Sequence, residues 1–148
     1  MSGGPVLTIR DLDVRFRLPD GEVHAVKHLS MEVMQGETVA IVGESGSGKS
    51  QTVMAAMGLL ARNGRASGSV RYRGEELLGI NEDALNRIRG AKITMIFQEP
   101  MTSLDPLFRV GTQIGELLTR HAGLDRKAAR ERAIALLRLV QIPQPSTL

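Results

Sequence analysis

The sequence contains no cysteine and no tryptophan, and aromatic residues make up only 3% of its 148 residues. The lack of cysteine excludes a disulfide scaffold, an iron–sulfur cluster and a thiolate zinc site within these residues. The scarcity of aromatic side chains argues against a stacking platform for single-stranded nucleic acid. No run of 18 apolar residues occurs, so no segment is expected to span a membrane. The first residues also lack the basic and apolar stretches of a signal peptide.

What is present is ordinary globular composition. Hydrophobic residues make up 42% and charged residues 24% of the chain, which is typical of a folded domain. A length of 148 residues fits one domain or part of one. The net charge of +3 mildly favours an anionic partner but does not imply nucleic acid. The three histidines show no metal-ligand spacing, and the simplest prediction is a soluble cytoplasmic protein.

Apolar periodicity predicts a mixture of strands and helices. Alternation at period two indicates strands over 7–16 and 25–33, with a change of register near Asp11. The apolar runs 38–42 and 92–97 are typical of strands buried on both faces, as in a parallel sheet. Further predicted elements are a strand over 68–72 and helices over 51–60, 82–89 with Asn81 as N-cap, 110–121 and 126–140.

One short segment carries specific chemistry. Residues from Gly43 to Ser50 fit the pattern G-x-x-x-x-G-K-[ST] at every fixed position. Glycines allow backbone N–H groups to form an anion-binding nest, and the next helix adds the positive end of its dipole. Lys49 supplies a charge for the β- and γ-phosphates, and Ser50 supplies a hydroxyl ligand for Mg²⁺. The plainer alternative, a turn rich in glycine and serine, leaves the preceding apolar run and the following helix unexplained. The Glu44 side chain is expected to point away from the phosphates, which would repel it.

The residues around this loop indicate which family of phosphate-binding proteins the chain resembles. Segments 43–51, 57–60 and 95–106 closely resemble the ATP-binding subunits of ABC importers for oligopeptides and dipeptides. The resemblance covers the chain from about Leu7 onward. It implies an α/β fold, the P-loop NTPase core of an ABC ATPase, incomplete, with antiparallel N-terminal strands and the start of a helical subdomain. It also implies a division into residues 1–100, the N-terminal part of the ATPase core, and 101–148, the beginning of the helical subdomain.

The resemblance assigns ATP and Mg²⁺ as cofactors and gives roles to matching residues. Lys49 and Gln98 take catalytic roles, and Ser50 and Gln98 are the implied metal ligands. Phe16 falls where the family places an aromatic that stacks on adenine, and an equally weighted alternative is a core position at the end of its strand. The implied nucleotide-binding residues are Gly43, Glu44, Ser45, Gly46, Ser47, Gly48, Lys49, Ser50 and Gln51.

The same resemblance implies partners and a location. Residues 101–108 are the candidate contact with transmembrane permease subunits, and packing onto the chain's own helical subdomain is the alternative. A second ATPase subunit would form a head-to-tail dimer, and no nucleic acid is implied. The expected location is cytoplasmic and peripheral, on the inner face of the cell membrane. The arginines from Arg120 to Arg138 suggest a solvated helix face, with an anionic or partner surface as the second interpretation.

The sequence also departs from the family pattern. It contains no LSGGQ-type signature, no apolar strand ending in Asp-Glu and no recognisable switch histidine. The expectation is therefore the N-terminal portion of a nucleotide-binding domain, which binds nucleotide with little or no hydrolysis. In the family the strand ending in Asp-Glu lies beside 38–42, so an open edge there predicts marginal stability or self-association.

Three other functions compete with an energy-coupling subunit. A truncated, non-catalytic nucleotide-binding module shares every residue with it. A small-molecule kinase explains Lys49 and Ser50 but leaves the block 97–106 unexplained. A nucleic-acid-binding domain is supported only by the sequence pI near 9.8.

Overall fold

The computed structural model describes residues 4–97 and 104–145, and the chain divides into two compact units, 1–86 and 87–148. The first unit contains a four-stranded antiparallel sheet with the strand order β2-β1-β3-β4. The predicted division at residue 100 stays a prediction. The elements are β1 (Leu7–Leu18), β2 (Gly21–Val33), α1 (Lys49–Ala56), β3 (Gly64–Tyr72), β4 (Glu75–Glu76), α2 (Glu82–Ile88), α3 (Val110–Ala122) and α4 (Arg126–Leu139).

The central strand β1 contains the irregularity that the sequence predicts near Asp11. Its partners on β3 change from Arg10↔Ser69 to Asp13↔Ser67, so two residues of β1 lie opposite Gly68 alone. Asp11 has a φ of 44°, which is the left-handed region that Asp tolerates better than most residues. A Cβ on Gly68 would lie 2.3 Å from the Asp11 carbonyl oxygen. The bulge therefore requires glycine on the neighbouring strand.

One face of this sheet packs against α1 and forms the core of the first unit. On β1, Leu12 and Val14 are fully buried, and Val70 on β3 is fully buried beside them. Their burial follows from alternation along strands whose other face is polar. The remaining buried apolar side chains of this unit are Ile9, Val26, Ala55, Ala56, Met57, Leu77 and Leu85.

The predicted helices all form, with ends that differ by a few residues. The largest difference is α1, which begins at Lys49 and ends at Ala56. The Asn81 carboxamide oxygen accepts a hydrogen bond from Ala84 N–H at 2.8 Å, which confirms the predicted N-cap of α2. Asp125 caps α4 in the same way through Ala128 N–H. None of the helices in the described part of the chain is both long and apolar enough to cross a membrane.

The two predicted buried strands were wrong. Residues 38–42 form no ladder with any described strand, and Val42 is 89% exposed. In 92–97 only Ile93 forms an isolated bridge, with Arg89, and Ile96 is 95% exposed. Both segments are rich in apolar residues, but a strand also needs hydrogen-bonded neighbours. The described residues supply no neighbouring strand for either segment.

A buried carboxylate on the polar face of the sheet joins two histidines. Asp13 is 7% exposed; its Oδ1 is hydrogen-bonded to His24 Nε2, and its Oδ2 lies 3.1 Å from His28 Nδ1. Burial raises the pKa of the Asp13 carboxyl. The hydrogen bonds from His24 and from the His28 backbone N–H, together with the charges of both imidazoles, outweigh burial and hold this pKa below its ordinary value.

The lowered pKa of Asp13 predicts a specific loss of stability in acid. The ionised carboxylate stabilises the fold at pH values above its ordinary pKa of 3.8, and this contribution is lost as the pH falls through the lowered value. We expect Asp13→Asn to lower the urea midpoint at neutral pH and to differ less from the parent chain in acid. Urea unfolding at several pH values measures this. Asp20→Asn, at the exposed turn between β1 and β2, is the control, and a difference independent of pH would contradict the prediction.

Candidate phosphate-binding site

The glycine-rich segment forms a loop that leads directly into α1. Gly46 and Gly48 have φ values of 79° and 86°, a backbone conformation that glycine adopts without strain. Ser47 N–H donates to the Glu44 carbonyl at 3.2 Å and closes a turn within the loop. Gly48 is the N-cap of α1. The loop thus curls back immediately before the helix begins.

Two glycines of the pattern lie close to other atoms, and at Gly48 a larger residue would collide with backbone. A Cβ on Gly48 would lie 2.3 Å from the Ala25 carbonyl oxygen and 3.2 Å from Val26 Cγ2, both on β2. A Cβ on Gly43 would lie 2.6 Å from Ser47 Oγ. The loop is therefore packed against the sheet at its C-terminal end and folded onto itself at its N-terminal end.

The Lys49 side chain turns back over this loop. Its ammonium donates to the Gly43 carbonyl at 2.8 Å, to the Glu44 carbonyl at 2.7 Å and to Ser47 Oγ at 3.3 Å. An ammonium has three donors, and here all three are directed to loop oxygens. A phosphate oxygen carries more negative charge than a carbonyl and forms a stronger bond with an ammonium. Lys49 is thus placed to contact an anion held by the loop.

The first turn of α1 is open to an anion. No side chain caps it and no acidic residue lies in it. Backbone N–H groups at Lys49, Ser50 and Gln51 have no acceptor within the helix, and they sit at the positive end of its dipole. Thr52 is buried and its hydroxyl donates to the Gly48 carbonyl at 3.1 Å, which fixes the helix to the loop. Ser50 is exposed beside this turn. Such an arrangement binds phosphate groups.

Two other predicted site residues, Phe16 and Gln98, lie outside the loop in sequence. Phe16 is half-buried and lies on the same face of β1 as Val14. Its ring edge covers Gly64, where a Cβ would lie 2.6 Å from Phe16 Cε1. Gln98 lies outside the described residues. The roles of Phe16 and Gln98 therefore stay predictions.

A glutamine that the sequence analysis did not single out shapes the segment before α3. Gln113 Oε1 accepts from Asp105 N–H at 3.1 Å, and its Nε2 donates to the carbonyls of Asp105 and Phe108 at 3.0 and 2.9 Å. The Asp105 carboxylate accepts from Leu107 N–H at 2.8 Å. The spacing is not that of a capping box, since Gln113 is the fourth residue of α3 and no side chain caps the N-cap of that helix. No sequence pattern therefore indicated this contact.

Comparison with known proteins assigns the family. The model of the ABC transporter family matches residues 26–147. The chain belongs to the ABC transporter family. The matched range contains the whole loop from Gly43 to Ser50, so the site described above is a feature within the family domain.

Curated relatives match almost the whole chain. The oligopeptide transport ATP-binding protein OppD of Escherichia coli is 49% identical over 139 residues, which is 94% of this chain and 41% of that protein. The dipeptide transport ATP-binding protein DppD of Lactococcus lactis is 44% identical over 145 residues, 97% of this chain and 42% of that protein. The chain thus spans about two fifths of the length of these relatives.

Solved structures confirm the predicted fold class. An ATP-binding cassette solved as a dimer in a post-hydrolysis state with ADP and Pi has a TM-score of 0.79. The likeness covers 93% of this chain and 58% of that one at 23% identity. A component of the ABC transporter complex cbiONQ from Clostridium perfringens has a TM-score of 0.66, with 96% of this chain and 53% of that one covered. At this identity the likeness concerns the fold, an incomplete ABC ATPase core.

The packing of Gly48 predicts a difference between two substitutions in the loop. Both Gly46→Ala and Gly48→Ala place a Cβ on a left-handed backbone, at about 1–2 kcal/mol. Gly46 has open space around it, whereas Gly48 faces the Ala25 carbonyl. We expect Gly48→Ala to lower the free energy of unfolding by at least about 3 kcal/mol and Gly46→Ala by less than that. Urea unfolding of both variants checks this, and equal losses would show that the contact with β2 contributes nothing.

Proposed function

We propose that this chain is the ATP-binding, energy-coupling part of an ABC transporter that imports peptides. The observation that carries the proposal is the loop from Gly43 to Ser50, with the Lys49 ammonium folded over it and the first turn of α1 left without a cap. The peptide substrate class is supported by the names of the oligopeptide and dipeptide transport relatives. Family membership supports the coupling role.

The residues of the loop fit a triphosphate. The contact with β2 restricts residue 48 to glycine, and glycines in such a loop allow backbone N–H groups to converge on an anion. Lys49 would hold the β- and γ-phosphates, and Ser50 would contribute a hydroxyl to Mg²⁺, which would neutralise phosphate charge. The remaining contacts are assigned to Glu44, Ser45, Gly46, Ser47 and Gln51.

Two further roles complete the proposed nucleotide site. Phe16 offers its ring face to adenine, since stacking requires only a π-face. Phe16 lies on the same face of β1 as Val14. Val14 pairs with Val26 on β2, and Val26 adjoins Gly48. This position near the loop supports the proposed stacking on adenine. Gln98 is proposed to orient water or to ligate Mg²⁺ through its amide oxygen.

We propose that this chain alone binds nucleotide with little or no hydrolysis. Positioning of the attacking water and stabilisation of the γ-phosphate charge require groups beyond the phosphate loop. The family supplies them from an Asp-Glu strand end, a signature and a switch histidine, and none of these patterns occurs in the sequence. Mg²⁺-dependent turnover by the 148-residue chain that Lys49→Ala abolishes would contradict this part of the proposal.

The segment 104–108 is the proposed contact with the permease subunits, at a peripheral location on the inner membrane face. Leu107 is 87% exposed and Phe108 is also exposed, although Gln113 and Asp105 hold their backbone in place. Exposed apolar residues on a fixed backbone suit a protein interface better than a solvated loop. Residues 101–103 of the predicted contact lie outside the described residues. The second proposed partner is another ATPase subunit, in a head-to-tail dimer.

The loop geometry predicts that Lys49→Ala weakens nucleotide binding at least about tenfold, because one charge-assisted contact to phosphate is lost. Titration of the chain with a fluorescent ATP analogue in the presence of Mg²⁺ measures the affinity. Lys127→Ala, on the exposed surface of α4, removes the same charge elsewhere and serves as the control. Equal affinities of the parent and Lys49→Ala chains would refute the site.

The coupling role predicts that this chain functions inside a complete relative. We expect a chimera of Escherichia coli OppD, with its matching 139-residue segment replaced by this one, to restore oligopeptide uptake to a strain lacking that subunit. Leu107→Asp in the chimera should reduce uptake and leave nucleotide binding intact, because it places a charge in the permease contact. Leu139→Asp, at another exposed leucine, is the control. A chimera that binds nucleotide and never restores uptake would favour the non-catalytic binding module.

A further inference from the structure

The Phe16 ring lies against a glycine on the neighbouring strand. Phe16 on β1 is paired directly with Gly64, the first residue of β3. A Cβ built on Gly64 would lie 2.6 Å from Phe16 Cε1 and 3.1 Å from Phe16 Cδ1. Both atoms belong to one side of the ring, so the ring leans across to β3 and covers the glycine. An aromatic side chain fills the space that a glycine leaves on the opposite strand.

The backbone at residue 64 does not require a glycine. Gly64 is not among the glycines with a positive φ, and it begins a regular strand. An alanine could adopt the same backbone and would strengthen a strand that glycine weakens. A Cβ is excluded there by contacts, first with the Phe16 ring and then with the Ala61 carbonyl oxygen at 3.1 Å. Glycine at this position therefore determines where the ring can lie.

The residue before Gly64 fixes the strand end that carries the ring. Arg17 N–H donates to the Asn63 carbonyl at 2.9 Å, and Asn63 Nδ2 donates to the Arg17 carbonyl at 3.0 Å. Both backbone groups of the residue after Phe16 are thus bonded to Asn63. Gly64 N–H donates to the Ala61 carbonyl at 2.8 Å and closes the turn. One short turn therefore holds both the ring of Phe16 and the backbone beside it.

The ring lies at a suitable distance from the phosphate loop. Phe16 is paired with Val23 of β2, whereas Gly48 of the loop approaches Ala25 and Val26 of the same strand. These contacts are two to three residues apart along β2, which is about 7–10 Å. The ribose and the phosphate chain of a nucleotide span a distance of this order. Phe16 is half-buried, so part of its ring is free to meet a base.

We propose that Gly64 is the positioning residue for the Phe16 ring, and that this ring in the position set by Gly64 is the base-stacking surface of the nucleotide site. The inference rests on the proposed function, because it concerns the same site. The ring leans on Gly64 with one side and offers its free face to adenine. A Cβ at residue 64 would push the ring away from β3 and tilt that face. Gly64 thus acts through Phe16 and not on the phosphates.

The test compares two ligands of the 148-residue chain by isothermal titration calorimetry with Mg²⁺ present. ATP carries a base, and inorganic tripolyphosphate carries none. We expect Gly64→Ala to weaken ATP binding at least about threefold and to leave tripolyphosphate binding within about twofold. Phe16→Leu should show the same difference between the ligands, with an ATP loss of at least about fivefold. Gly115→Ala, at a glycine of α3 with open space around it, is the control and should change neither affinity.

A double variant shows whether Gly64 acts through the ring. In the Phe16→Leu background, Gly64→Ala should change the ATP affinity by less than about twofold, because no ring remains to be displaced. Circular dichroism and urea midpoints confirm that each variant is folded. If Gly64→Ala does not fold, Asn63→Ala carries the test, since it removes one exposed hydrogen bond to Arg17 and adds no atom. It should weaken the binding of ATP and not of tripolyphosphate.

Three outcomes would overturn the proposal. Equal losses of ATP and tripolyphosphate affinity in Gly64→Ala would place its effect on the phosphate loop. An equal ATP loss with and without the Phe16 ring would show that Gly64 does not act through it. Unchanged ATP affinity in Phe16→Leu would show that the ring does not stack on the base. In each of these cases a loss of both ligands in Lys49→Ala would still support the proposed function. A parent chain that binds neither ligand would refute the proposed function and this inference together.

Discussion

The contact between Gly48 and the Ala25 carbonyl is the constraint on which the phosphate loop depends. It brings the start of α1 against β2 at a distance that excludes any side chain at residue 48. The loop glycine thereby brings together two positions, 25 and 48, that are more than twenty residues apart in sequence. The uncapped first turn of α1 and Lys49 lie directly after this contact. In this chain the antiparallel sheet thus supports the candidate anion site.

Much of the first unit could be predicted from periodicity and local chemistry. The alternation in β1 and β2, the change of register near Asp11 and the Asn81 cap are short-range signals, and the structure bears each of them out. The two apolar runs that failed, 38–42 and 92–97, depend on something a local pattern does not contain. Strand formation there requires backbone partners from elsewhere, and no described segment provides them.

The site shows the same division between local and long-range information. The loop pattern predicts roles for Lys49 and Ser50 because the chemistry of phosphate binding fixes their spacing. It did not identify the approach of β2 to Gly48, since no spacing links Ala25 to the loop. The cluster of Asp13, His24 and His28 was also invisible in sequence, because a bulged register brings its members together. Cross-strand neighbours become apparent only once the register is known.

The amide of Gln113 has a mechanical consequence. It bonds both ends of the segment from Asp105 to Phe108 and belongs to the start of α3. The backbone of this segment is therefore tied to the helix, and a displacement of α3 would carry the exposed Phe108 side chain with it.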